Sequence, residues 1–268
     1  MSKIIDGRAI AERTKDKIAQ EIHSFSGPRP NLAIILIGER EDSKLYVSLK
    51  ERESKKVGID THLYTFDSAT SEESILEAID FLNKDELVDG ILVQLPLPQG
   101  INTDKIISAV DPNKDVDGFH PKHPSYIMSP VFAAVIACLE SVKLDGLDKK
   151  ACLLYHADIF GQGLEEIITS RGFTVVKSED IKEADLIVTA LGKPLSLKKE
   201  MVKQGVVIID IGITKLDGHI CGDADFADLQ ETASFITPVP GGIGPMTIAF
   251  LFKNVLEIFR RRHTLEIK

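Results

Sequence analysis

Hydrophobic positions along the chain switch repeatedly between two periods. The runs Leu32-Ala-Ile-Ile-Leu-Ile37, Gly90-Ile-Leu-Val93 and Ala151-Cys-Leu-Leu-Tyr155 are short and almost continuously apolar. Strands buried on both faces of a parallel sheet read this way. Between such runs, apolar residues recur at three- and four-residue spacing, as in Ile10, Ile18, Ile22 and Phe25 behind Asp6. The pattern predicts helices over 41–57, stopped by Gly58, over 71–82, and briefly over 102–110, with a strand at 62–66. Further on it predicts helices over 131–141, 161–170 and 246–262, with strands near 174–176, 185–190 and 206–211.

This alternation predicts an α/β fold of two domains with parallel-type sheets, the second Rossmann-like, and an active-site cleft between them. The expected boundaries give one domain of residues 1–127 plus a returning C-terminal helix, 245–268, and a second of residues 128–244.

The length of 268 residues leaves room for two ordinary domains, and 43% hydrophobic with 27% charged residues is a globular composition. A formal net charge of −9 argues against general binding to nucleic acid or an anionic membrane. No run approaches the ~20 apolar residues of a membrane span, and the N-terminus lacks the apolar core of a signal peptide. Cys138, Cys152 and Cys221 are odd in number and lack metal-ligand spacing, and the histidines form no cluster. A cytoplasmic protein without a bound metal is the expectation.

Candidate chemistry gathers at four places. Three prolines and three glycines fall within residues 238–245, between a strand-like segment and the last helix. Such a loop is rigid and lets backbone approach closely, as a ligand wall or as a tight interdomain turn. Tyr46 and Lys50 lie four apart on a predicted helix and share a face. Gln94 stands where an apolar strand ends, the edge at which open α/β sheets bind ligands. Asp117 precedes Gly118, which reads equally as an Asp-Gly turn or as a carboxylate aimed at a heterocycle.

These pieces resemble, in order, the bifunctional methylenetetrahydrofolate dehydrogenase/methenyltetrahydrofolate cyclohydrolase family. Tyr46 to Lys50 is similar to its Tyr-Val-x-x-Lys motif, residues 89–98 to its Gln-Leu-Pro segment, residues 114–121 to its Asp-Val-Asp-Gly segment, and residues 236–247 to its C-terminal loop. The resemblance spans almost the whole chain. It implies that Lys50 is central to cyclohydrolysis, that Gln94 tunes it, that Tyr46 orients the folate and that Asp117 recognises the pterin. Gly118, Pro240, Gly241 and Gly242 would complete the substrate wall. Gly161, Lys177, Gly192 and Ile213 are the matching positions for NADP. A tetrahydrofolate derivative is the implied substrate and a homodimer the implied assembly.

The chain departs from the family at the nucleotide loop. The usual spelling resembles Gly-(Arg or Ala)-Ser-x-x-Val-Gly-x-Pro, whereas residues 155–163 read Tyr-His-Ala-Asp-Ile-Phe-Gly-Gln-Gly. Tyr155 would crowd a pyrophosphate, Ala157 lacks a hydroxyl, and Asp158 adds negative charge at a helix start where an anion should dock. The loop after residue 176 is short and acidic, with Lys177 in place of a histidine. Ser129-Pro130 stands for a Thr-Pro, and Phe132 for a glycine. The expectation is a cyclohydrolase whose dehydrogenase step is lost. A fully bifunctional NADP enzyme and a non-catalytic folate-binding or regulatory paralogue are the alternatives.

Overall fold

The computed structural model describes residues 3–156 and 158–263, the side chains of 158 and 159 excepted. Along the chain run β1 (Lys3–Ile4), α1 (Gly7–Ser24), β2 (Asn31–Ile37), α2 (Glu41–Val57), β3 (Asp60–Phe66), α3 (Glu72–Lys84), β4 (Gly90–Val93) and α4 (Thr103–Ala109). There follow α5 (Pro130–Ser141), β5 (Lys150–Tyr155), α6 (Asp158–Ser170), β6 (Thr174–Val176), β7 (Leu186–Ala190) and β8 (Val207–Asp210). The last elements are β9 (Thr214–Leu216), β10 (His219–Cys221), α7 (Phe226–Leu229), β11 (Phe235–Ile236) and α8 (Ile243–His263).

The chain folds into two units. The first holds residues 12–130 and those from Ile248 on. Its sheet has the order β3-β2-β4, all parallel. The central strand β2 is buried over Leu32 to Ile37, as its unbroken apolar run demands. α8 supplies Leu251, Phe252, Val255 and Ile258 to the core that also contains Ile34 and Leu92. Burying a side chain such as Phe252 contributes about 2 kcal/mol. α2 ends as its sequence predicts, with Gly58 in the left-handed region (φ 86°) donating its N–H to Ser54 O. α3 starts at Ser71, whose hydroxyl accepts from Ser74 N.

The free side of β4 is covered by residues 114–116. Ile91 N donates to Lys114 O at 2.7 Å, in a parallel bridge that sets Ile91 opposite Asp115. Gly90 makes room for this, because a Cβ there would come within 2.4 Å of Val116.

The second unit holds residues up to Ala11 and 131–247. Its sheet has the order β1-β11-β8-β7-β5-β6, parallel throughout. β9 and β10 form a separate antiparallel hairpin. The expected boundaries need correction at the N-terminus. β1 pairs with β11, Lys3 opposite Phe235 and Ile4 opposite Ile236, so the first residues belong to this unit and not to the first domain. The other boundaries move by three residues each, from 127 to 130 and from 244 to 247. α6 begins at Asp158 rather than 161, and α8 at Ile243 rather than 246. Gly161, the expected start of α6, and Pro245, in the loop expected before α8, both sit inside first turns, where a helix lacks its i→i−4 bonds in any case.

Two buried carboxylates organise the carboxyl ends of this sheet. Asp210 Oδ1 accepts from Gly212 N (2.9 Å) and Asp223 N (3.2 Å), and Oδ2 from Ala224 N (2.8 Å). Asp223 in turn accepts from Thr189 Oγ1 (2.8 Å), Leu191 N (2.6 Å) and Lys193 N (2.8 Å). Burial pushes the Asp210 carboxyl up to about 7, with its three backbone N–H partners opposing the rise and the nearby Asp223 adding to it.

Candidate active site

α2 follows β2, so it starts at the carboxyl end of that parallel strand, while Val47 and Val57 pack on the sheet's core. Gln94 is the first residue past β4, and its backbone N still reaches Ile35 O at 2.9 Å. Its side chain is held at both ends. Nε2 donates to Leu95 O at 2.7 Å, which leaves Oε1 to accept from Lys50 Nζ at 2.8 Å. The amide orientation is thereby fixed by a partner that can only accept.

Burial holds the Lys50 ammonium below its ordinary pKa, and the charge of Asp117 opposes this only in part. Gln94 meets the lysine without adding a counter-charge. The same pairing of forces acts on Asp117. Burial raises its carboxyl to about 6, Lys50 draws it down and Asp115 pushes it up. Tyr46, one turn before Lys50, is half-buried, and burial raises its phenol, with Asp42 adding to the rise.

Asp117 reaches this edge through the segment beside β4. Two residues past the bridge at Ile91–Asp115 it turns sharply, with Gly118 at φ 67°. A side chain at Gly118 would meet Ser129 N at 2.9 Å, so the turn permits glycine on two counts. A recess lined by Ile91, Val93, Leu95, Ile107 and Phe119 opens beside Asp115 and Asp117. The structure therefore brings Tyr46, Lys50, Gln94, Asp117 and Gly118 together on one unit. It adds a residue that the sequence pattern does not single out. Ser43 shares the α2 face of Tyr46 and Lys50 by its spacing, and its buried Oγ has no partner among the described residues.

The remaining expected site residues belong to the second unit. Gly241 and Gly242 pack on the first turn of α1. Arg8 N donates to Gly241 O at 3.1 Å, and a Cβ at Gly7 would lie 1.9 Å from Gly242 O. The close approach that this loop's glycines permit is thus to helix backbone, with Pro240 immediately before it. Gly192 follows β7 at φ 63° with open space around it, in the turn that Asp223 braces. Lys177 and Ile213 are exposed, beyond β6 and β8.

At the turn between β5 and α6, Tyr155 lies over Gly161. A Cβ on Gly161 would come within 1.9 Å of the tyrosine ring. Phe132 and Phe160 stack nearby with centroids 5.3 Å apart. The expected effects of Ala157 and of the Asp158 carboxylate lie outside the described residues. For a dinucleotide, the parallel strand ends and the open Gly192 turn fit, while the Tyr155 ring covers the helix turn that backbone would otherwise present to a phosphate.

Comparison with known proteins covers the chain from end to end. Residues 5–117 match the model of the tetrahydrofolate dehydrogenase/cyclohydrolase catalytic domain, and residues 130–263 that of the same family's NAD(P)-binding domain. The bifunctional protein FolD of Lactobacillus delbrueckii subsp. bulgaricus is 39% identical over 283 aligned positions, covering 99% of this chain and 100% of that one. The crystal structure of the bifunctional FolD methylenetetrahydrofolate dehydrogenase/cyclohydrolase from Campylobacter jejuni superposes with a TM-score of 0.93 at 33% identity, covering 98% of this chain and 100% of that one. The FolD of Trypanosoma brucei, solved with NADP and an inhibitor, gives a TM-score of 0.91 at 29% identity, covering 98% of this chain and 99% of that one. With both of its domains matched and the fold shared along its length, the chain belongs to the tetrahydrofolate dehydrogenase/cyclohydrolase family.

Proposed function

We propose that the chain is a bifunctional enzyme of one-carbon transfer on tetrahydrofolate, a cyclohydrolase and an NADP-dependent dehydrogenase. The observation that carries the hydrolytic half is the bond from Lys50 to Gln94 on a lysine whose pKa burial lowers. The methenyl carbon of the substrate is cationic, and water adds to it. The water oxygen bonds to carbon, and one carbon–nitrogen bond breaks to leave a formyl group. Of the two water protons, one ends on the departing ring nitrogen and the other is released. A lysine with an accessible neutral form can take and return these protons, and a glutamine partner preserves that form where a carboxylate would not. Asp117 offers a carboxylate to the amine and amide face of the pterin, and Tyr46 packs beside it.

For the dehydrogenase half, relatives matched across both domains support the bifunctional reading over the loss expected from the loop's spelling. NADP, were it bound, would supply the acceptor for a hydride from the methylene carbon. The Gly192 turn, held by Asp223, is the segment that would hold it. A second reading, a cyclohydrolase alone, rests on one observation, the Tyr155 ring over Gly161.

A homodimer formed through the second unit is part of the proposal. Its support is the exposure of Ile213, Leu216 and Ile220 on and beside the β9–β10 hairpin. Among the described residues no helix is long and apolar enough to cross a membrane. The test is a paired assay on one preparation, hydrolysis of methenyl-tetrahydrofolate and reduction of NADP by methylene-tetrahydrofolate. Hydrolysis without any NADP reduction establishes the second reading, and absence of both leaves a binding protein.

A further inference from the structure

We propose that Asp115 is a positioning residue for the hydrolytic site, its carboxylate holding in place the backbone turn that carries Asp117. The inference rests on the cyclohydrolase reading and adds a residue to it.

Asp115 is only 5% exposed. Its two oxygens are spent on the two ends of one turn: Oδ1 accepts from Asp117 N at 3.0 Å, and Oδ2 from His120 N at 2.8 Å. Asp115 is itself anchored, by its parallel bridge to Ile91 and by its N–H to Asp111 O at 3.0 Å. The carboxylate thus ties the turn to β4, the strand whose end carries Gln94. The far side of the turn has no slack, because Gly118 abuts the backbone of Ser129. His120 closes the arrangement. Its Nδ1 accepts from Lys122 N at 2.9 Å, which places the ring proton on Nε2, aimed at Ser108 O at 3.2 Å.

A buried carboxylate beside another carboxylate is a costly way to hold a turn, since a neutral side chain would avoid the repulsion. The arrangement makes sense if the charge also acts on Asp117. Two charged groups act on Asp117, Lys50 from α2 and Asp115 from its own segment, and they pull in opposite directions. The neighbouring segments at and just past β4 and α4 contribute apolar side chains, Val93, Leu95, Ile107 and Val110 among them. Asp115 therefore fixes where Asp117 points and biases the pH at which it ionises.

Asp115→Asn keeps the size of the side chain but sets an amide NH2 against one of the two N–H groups and removes the charge. In the full-length enzyme, with methenyl-tetrahydrofolate as probe, KM should rise on the order of ten-fold or more while kcat changes little. The acid limb of the kcat/KM profile should move to lower pH by roughly half a unit to one unit, a change that simple loosening of the fold does not produce. Unchanged KM with an unmoved acid limb overturns the proposal. Gly118→Ala provides the second arm, displacing the same turn without altering charge. It should raise KM and leave the acid limb where it is, and an unaltered KM there also overturns the proposal. If Asp115→Asn does not fold, this arm decides alone. Absence of hydrolysis in the wild-type enzyme removes the cyclohydrolase reading and this inference with it, whereas an active wild type with indifferent variants removes only the inference.

Discussion

Lys50 Nζ donates to Gln94 Oε1 at 2.8 Å, and the other end of the same amide is committed to Leu95 O. A half-buried lysine is thus paired with a group that accepts a hydrogen bond but carries no charge. Coulomb attraction to a carboxylate in this position would stabilise the ammonium and remove the proton-accepting form.

Lys50→Met should therefore keep folate binding and lose hydrolysis by about 10²–10⁴-fold, the range for a group moving protons in the transition state. Equilibrium binding of a folate analogue and steady-state hydrolysis, measured on the same variant, separate the two effects. Hydrolysis at the wild-type rate would remove Lys50 from the mechanism.

Gln94→Glu tests the pairing itself. A carboxylate at 94 should raise the pKa of Lys50, so the ascending limb of the pH–rate profile, set by loss of the Lys50 proton, moves to higher pH and activity at neutral pH falls about ten-fold, recovering as pH rises. A profile that drops uniformly, without moving, would contradict the role given to the neutral amide.

Asp117 carries a stability consequence of defined sign. Its folded-state carboxyl titrates near 6, above the ordinary 3.8. The folded protein therefore holds a proton that the unfolded chain has already lost between these values. The stability from this proton is present below pH ~4 and is lost as pH rises through about 6. Asp117→Asn should be more stable than the wild type at pH 8, by about 1–2 kcal/mol after screening, with the difference shrinking toward pH 4. Melting curves across this range check it. The same variant should bind folate poorly.

Tyr155 and Gly161 form a matched pair that a double-mutant cycle can read. Gly161→Ala alone should destabilise by about 2 kcal/mol, because the added methyl has nowhere to go under the ring, and should cost little in a Tyr155→Gly background. Tyr155→Gly should also tighten NADPH binding about ten-fold without changing hydrolysis. Ligand fluorescence is a convenient readout, since the chain has no tryptophan. Unaltered NADPH affinity would mean that the ring does not stand in the cofactor's way.

Much of this site is legible in the sequence because local rules place it. Helical spacing puts Tyr46 and Lys50 on one face, and an apolar run ending at Gln94 marks a strand's carboxyl edge. The parts that are not legible depend on distant pairing. β1 is two residues long and gains its meaning from Phe235 and Ile236, more than two hundred positions away. Asp115 looks like any acidic turn residue until Asp117 N and His120 N are seen to share its carboxylate. Ser43 carries no signal beyond its spacing. Tyr155 shows the reverse case. The departure from a glycine is plain in the sequence, but its consequence for NADP does not follow from spelling, and residues 130–263 still match the family's NAD(P)-binding domain.

The passage of the chain from one unit to the other inside α1, after Pro130, and inside α8 bears on how the protein is made. Neither unit is a continuous stretch of sequence. On a ribosome, Lys50, Gln94 and Asp117 emerge early, yet the core beneath them lacks Leu251, Phe252, Val255 and Ile258 until residues 131–247 have been added. The first unit is left with part of its apolar surface uncovered while residues 131–247 of the second are synthesised. No single cut can release either unit intact, so a fragment ending near residue 130 would lack the helix that completes its own core.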